Sequence, residues 1–205
     1  MGEATSSGAP VAEALGQAVS AYDLPKPLLI GMIDARSADL DGGGFSDLQA
    51  LKAYLYKSEG AAIALSATIL GIDDAGTSRA ANSAGLAIGL TSLLRVLARD
   101  IATGRIMLPL SMLDTHGIQL EQILAGSCEA ELKPVLVELA GEARAARDAA
   151  HQQIHELDRA ARPAFALLAL VESYLKVFER PDHNPLQHIA DINPLVRFCH
   201  LWRAS

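Results

Sequence analysis

The chain has 205 residues, half of them apolar but only 4% aromatic, with 20% charged and a formal net charge of -7. That length favours one domain whose core needs neither disulfides nor a structural metal. The acidic balance, with no stripe of Lys and Arg, speaks against a nucleic-acid partner, because phosphate neutralisation supplies most of that affinity.

Residues 1–9 are small and polar and read as a disordered leader; residues 10–205 read as one helical domain. A first helix is predicted over 11–22, where Ala14, Leu15, Ala18 and Val19 form an apolar stripe. Pro25 and Pro27 punctuate it, and a second helix runs over 27–40 into the turn Asp41, Gly42, Gly43, Gly44. Ser46 with Gln49 three residues on forms a capping-box pattern, opening a helix that reaches Leu70 and stops at Gly71. After Asp73, Asp74, Ala75 and Gly76, the next helix covers 78–103. Gly104 is placed as its left-handed cap, and Pro109 forbids continuation. Short helical pieces are expected over 110–129, then a helix over 131–157 charged on one face. Pro163 suits the first turn of a helix reaching 179. A proline-rich connector over 180–194 precedes a final helix over 195–203. No run alternates with period two, so no sheet is expected.

Cys128 and Cys199 show neither metal spacing nor a disulfide framework, and read as reduced thiols of a cytoplasmic protein. The most apolar runs, 61–72 and 164–171, fall short of the roughly 20 residues a membrane-crossing helix needs. Peripheral contact with a membrane surface stays open. His151 and His155 lie four apart, a spacing that can bind zinc, but no third ligand accompanies them and a solvated face is expected. Asp34, Asp39 and Asp41 read as cap and turn residues.

The segment 85–109 reads GLAIGLTSLLRVLARDIATGRIMLP: a long helix bearing Arg95 and Asp100, closed by Gly104, Arg105, Ile106, Leu108 and Pro109. Upstream stand Tyr22, Asp23, Leu24 and Pro25, then Asp39 and Leu40, Leu51 and Tyr54, and Glu59 and Gly60; the chain closes on Leu201, Trp202, Arg203 and Ala204. This ordered set resembles the squalene/phytoene synthase family, from about residue 10 to the end. The resemblance implies an all-α, isoprenoid-synthase-like helical bundle, here lacking its N-terminal helices, since only Glu3 and Glu13 precede Asp23 as acids.

The family joins two prenyl diphosphates head to head. Magnesium ions held by aspartate pairs on facing helices stabilise the departing diphosphate. Matched by position, the first aspartate of the second pair falls at Val96, the next acidic position at Arg99, the glutamine and asparagine at Gly89 and Ser92, and the tyrosine at Met107. Asp100 is left as a remnant metal ligand. The resemblance therefore implies a member without full catalytic competence, needing Mg2+ only if active. It would bind a prenyl lipid or act as an assembly factor for a protein partner, with complex I assembly as the family precedent. The alternative is a prenyltransferase whose missing helices are supplied elsewhere. Arg95, Arg99 and Arg105 are candidate diphosphate ligands, as guanidinium groups grip such anions well. They could equally pair with Asp100 or with acids on neighbouring helices, Arg105 tying down a loop. Tyr54, Gly85, Gly89, Ser92 and Val96 are candidate cavity-lining residues, with Tyr54 also reading as core and the two glycines as a close helix contact.

Overall fold

The computed structural model describes residues 10–37 and 44–204. The leader over 1–9, Asp39, Leu40, and Asp41 to Gly43 of the expected turn lie outside the described residues. Helices form every described element, in the order α1 (Pro10–Ala21), α2 (Lys26–Ser37), α3 (Leu48–Leu55), a π-helical turn (Tyr56–Gly60), α4 (Ala61–Ile69), α5 (Ala75–Ala102), α6 (Leu110–Thr115), α7 (Leu120–Leu124), α8 (Glu129–His155), a 3-10 helix (Arg159–Leu170), α9 (Val171–Phe178) and α10 (Pro194–Ala204). Among the described residues there is no strand, only one parallel bridge between Phe45 and Pro109.

The axis of the bundle is α5. Asp74 caps it from extended backbone, accepting from the Thr77 amide at 2.7 Å and the Thr77 hydroxyl at 3.0 Å. The helix therefore begins at Ala75, upstream of the expected start at 78, because the cap lies within what reads as a turn. At the other end Gly104 has φ 74°, and the Arg105 amide reaches back to the Asp100 carbonyl at 2.8 Å. This is the glycine cap expected from sequence.

Leu90, Leu94 and Leu97 of α5 are almost fully buried against Leu132, Val135, Leu136 and Leu139 of α8. Each such side chain contributes about 1.5–3 kcal/mol of burial free energy. The buried residues Ala140, Ala143, Ala146 and Ala150 continue this face with small side chains, which let the helices approach. Among the described residues α5 alone is long and apolar enough to cross a membrane by length and composition. Of its apolar 18-residue window, 61% is buried inside the bundle. Its apolar character is thus accounted for as core.

The helix expected from Ser46 to Leu70 is instead three consecutive pieces. Asp47, not Ser46, is the cap, accepting from the Ala50 amide at 2.8 Å. In the middle, the Ala61 amide bonds the Tyr56 carbonyl, the five-residue step of a π turn. At this turn α5 crosses very closely. A Cβ on Gly85 would lie 2.3 Å from the Gly60 nitrogen, so only glycine fits there.

The helix expected from Pro163 to 179 begins earlier and in another form. Asp158 caps a 3-10 helix that contains Pro163 and passes into α9 at Val171. Ion pairs tie α9 to α8: Arg144 reaches Glu172 at 3.1 Å and Glu179 at 2.6 Å, and Arg147 also pairs with Glu172. Hydrogen bonds to Glu179 and then to Glu172 hold the Arg144 pKa above its ordinary value despite partial burial.

Candidate functional site

One face of α5 looks into a cavity of about 380 Å3. Gly89, Ser92, Val96, Arg99 and Asp100 recur three and four residues apart, so a helix places them on the same side. Facing them are Tyr54 and Leu55 of α3, Glu59 of the π turn and Arg36 of α2, with Arg105 and Met107 at one end. The missing side chain of Gly89 makes room for Leu55, whose Cδ2 would sit 2.5 Å from a Cβ at position 89.

Every candidate residue except Gly85 thus borders one space; Gly85 packs on Gly60 instead. Tyr54 is both core and lining: it is 9% exposed, its ring lies 5.0 Å from that of Phe45, and its edge reaches the cavity.

Among the described residues, four guanidinium groups and two carboxylates border the cavity. Arg36 donates to the Tyr54 hydroxyl at 2.8 Å and to Glu59 at 2.9 Å. Arg99, 62% exposed, stands 3.6 Å from Asp100, whose side chain is only 14% exposed. Arg95 donates to the Ala190 carbonyl at 3.2 Å, lies 3.8 Å from Asp191 and stacks over Tyr174 at 4.8 Å. Arg105 approaches the Met107 sulfur at 3.8 Å. Arg95 and Ser92 also border a smaller cavity of about 260 Å3, whose apolar walls include Ile88, Leu167, Leu170, Val171 and Leu201.

A sequence model described as squalene/phytoene synthase matches residues 2–196. The chain belongs to the squalene/phytoene synthase family. It is 28% identical over 198 residues to complex I assembly factor 6 from Mus musculus, covering 95% of this chain and 60% of that protein. It is 30% identical over 178 residues to the chloroplastic phytoene synthase of Daucus carota, covering 83% of this chain and 45% of that one. YisP from Bacillus subtilis superposes with a TM-score of 0.76 at 22% identity, covering 92% of this chain and 76% of that structure. The squalene synthase HpnC from Alicyclobacillus acidocaldarius gives 0.67 at 21%, covering 80% and 65%. These structures share the all-α fold expected of the family. The chain spans about three-fifths of the length of the assembly factors it matches.

The magnesium that the family implies needs oxygen donors, usually carboxylates acting together with substrate phosphates. The described donor set does not fit it. Glu59 and Asp100 are the cavity's carboxylates, and each faces a guanidinium. Among the described residues no group of three or more His, Cys, Asp or Glu is placed to hold a metal. His151 and His155 are exposed on α8.

Arg36 and the pairing of Glu59 were not found from sequence. Glu59 was visible as part of the family pattern, but nothing in a linear reading joins it to Arg36 across 23 positions.

Proposed function

We propose that this chain is a squalene/phytoene synthase family member without full catalytic competence, which holds an anionic isoprenoid such as a prenyl diphosphate in the arginine-bordered cavity and serves as an assembly factor for a protein partner. One observation carries the reading. Arg36, Arg95, Arg99 and Arg105 border the cavity, while both of its carboxylates already face a guanidinium. Among the described lining residues guanidinium groups outnumber carboxylates four to two, and guanidinium groups grip a diphosphate directly, without a bridging cation. Similarity to assembly factor 6 along 95% of the chain supports the role in assembly.

Isothermal titration with a non-hydrolysable farnesyl diphosphate analogue, with and without magnesium, tests the proposal. Binding of equal strength in both buffers is the expected result. Tight binding only with magnesium would favour the prenyltransferase reading, which the similarity to phytoene synthases supports. No binding in either buffer would remove the lipid from the proposal.

A further inference from the structure

A third cavity shares no residue with the arginine-bordered one. It encloses about 300 Å3 between the first turns of α8 and the segment that follows α9. Leu136 and Phe178 are its buried apolar surfaces, and Val137, 53% exposed, stands among its lining residues.

Glu129, Lys133, Glu179, Arg180 and His183 supply its polar groups. The two carboxylates are already engaged. Glu179 accepts from Arg144 at 2.6 and 2.8 Å, and Glu129 accepts from the Asn184 amide at 2.6 Å. Lys133 and Arg180 enter no ion pair among the described residues.

The Nε2 atom of His183 is buried and has no hydrogen-bond partner among the described residues. Its ring sits 5.7 Å from that of Phe178 and 6.3 Å from that of His188. Burial and then the neighbouring His188 keep its pKa below the ordinary histidine value, so the ring is neutral at neutral pH and can donate one N–H. A buried polar atom left without a partner is unfavourable, and the residue that carries it lines the cavity together with Lys133 and Arg180.

We propose that this cavity is a binding site for a small amphipathic carboxylate, its apolar body against Leu136 and Phe178 and its carboxylate reaching Lys133 and Arg180, with His183 in the cavity wall. The planar fork of Arg180 matches a carboxylate in a way a lone ammonium does not. The volume stands at the low end of small-molecule sites, which suits a medium-length chain or a single aryl group rather than a long lipid.

The experiment is a titration of the full chain with octanoate, read by calorimetry and by methyl NMR, with octanol as the uncharged comparison. Saturable octanoate binding is expected, with shifts confined to Leu136, Val137 and their neighbours, and octanol at least about tenfold weaker. The double variant Lys133→Ala, Arg180→Ala changes two exposed side chains, so its circular dichroism and melting temperature are expected to match the parent while octanoate affinity falls about tenfold or more. Arg99→Ala, in the other cavity, leaves the affinity unchanged. The proposal is overturned if octanoate shifts scatter over the surface, if octanol binds equally well, if the double variant binds like the parent, or if Arg99→Ala abolishes binding.

Discussion

Arg95 and Ala190 hold each other in both directions: the Arg95 side chain donates to the Ala190 carbonyl at 3.2 Å, and the Ala190 amide donates to the Arg95 carbonyl at 3.1 Å. The contact spans 95 positions and fastens the C-terminal connector to the central helix. Asp191, 3.8 Å from Arg95, also accepts from Arg197 of α10 at 2.7 Å, so the attachment extends to the last helix. The same arginine that borders the candidate cavity is therefore already engaged in holding the chain's end.

Replacing Arg95 by alanine is expected to loosen that end selectively. Amide hydrogen exchange around Ala190 and through α10 should accelerate on the order of tenfold, the effect of losing roughly 1–2 kcal/mol of local hydrogen bonding. Amides of α5 and α8 should keep their protection. A uniform rise across all helices would show that Arg95 supports the fold as a whole instead.

Gly85→Ala is expected to destabilise the protein by about 2 kcal/mol or more, since the new methyl would overlap the Gly60 backbone and the helix-propensity gain cannot offset it. For a chain of this size that lowers the melting temperature by roughly 4–8 °C. Gly141→Ala on α8 is the comparison: nothing lies within 4 Å of its added Cβ, and a gain of about 0.5–1 kcal/mol is expected. Thermal denaturation of the two variants side by side checks both signs.

Asp74 carries a pH signature. The Thr77 amide, then the Thr77 hydroxyl, hold its pKa below the ordinary carboxylate value. The folded state therefore binds this proton less readily than the unfolded one. The stabilisation is complete above the ordinary pKa of about 3.9 and is lost as pH falls through the lowered folded value. The difference in melting temperature between the parent and Asp74→Ala should be constant from neutral pH down to about 5 and should close on further acidification. A gap that widens in acid would contradict the assignment of Asp74 as an ionised cap.

Val96→Asp restores one carboxylate to the face of α5 in the cavity. No magnesium-dependent release of pyrophosphate from farnesyl or geranylgeranyl diphosphate is expected from the parent or from this variant. The added group would face Arg99 and Asp100 with no opposing aspartate pair among the described residues. Turnover by the parent would refute the reading of lost competence, and turnover by the variant alone would place the whole defect at position 96.

The helical class and the two longest helices could be read from sequence because their signals are local. Gly104 ends α5 by the backbone conformation it adopts, and the spacing of Gly89, Ser92, Val96 and Asp100 puts them on one face without knowledge of any neighbour. Cap positions were less legible. Ser46 and Asp47 are adjacent and both able to cap, and only geometry awards the role to Asp47. The π turn leaves no compositional trace in Tyr56 to Gly60 and shows only in the bond from the Ala61 amide to the Tyr56 carbonyl. The 3-10 form of Arg159–Leu170 was likewise masked, since its apolar pattern also suits an α-helix. Arg36 escaped notice because its partners, Tyr54 and Glu59, come from another part of the chain.

The five-residue turn at Tyr56–Gly60 also sets how this chain can tolerate changes in length. A π turn accommodates one residue more than the α-helix on either side, so losing a residue there could leave a regular helix with every hydrogen bond made. The phase would survive with it, because the wide turn spreads the extra residue over about the rotation that an α-helix completes with one residue fewer. After such a loss α3 and α4 would still present their present faces, with Tyr54 and Leu55 toward the cavity and Ile63, Leu65 and Ala67 in the core. A single-codon deletion here is thus a local trim, whereas one in the middle of α5 would turn every later side chain of that helix by about 100°.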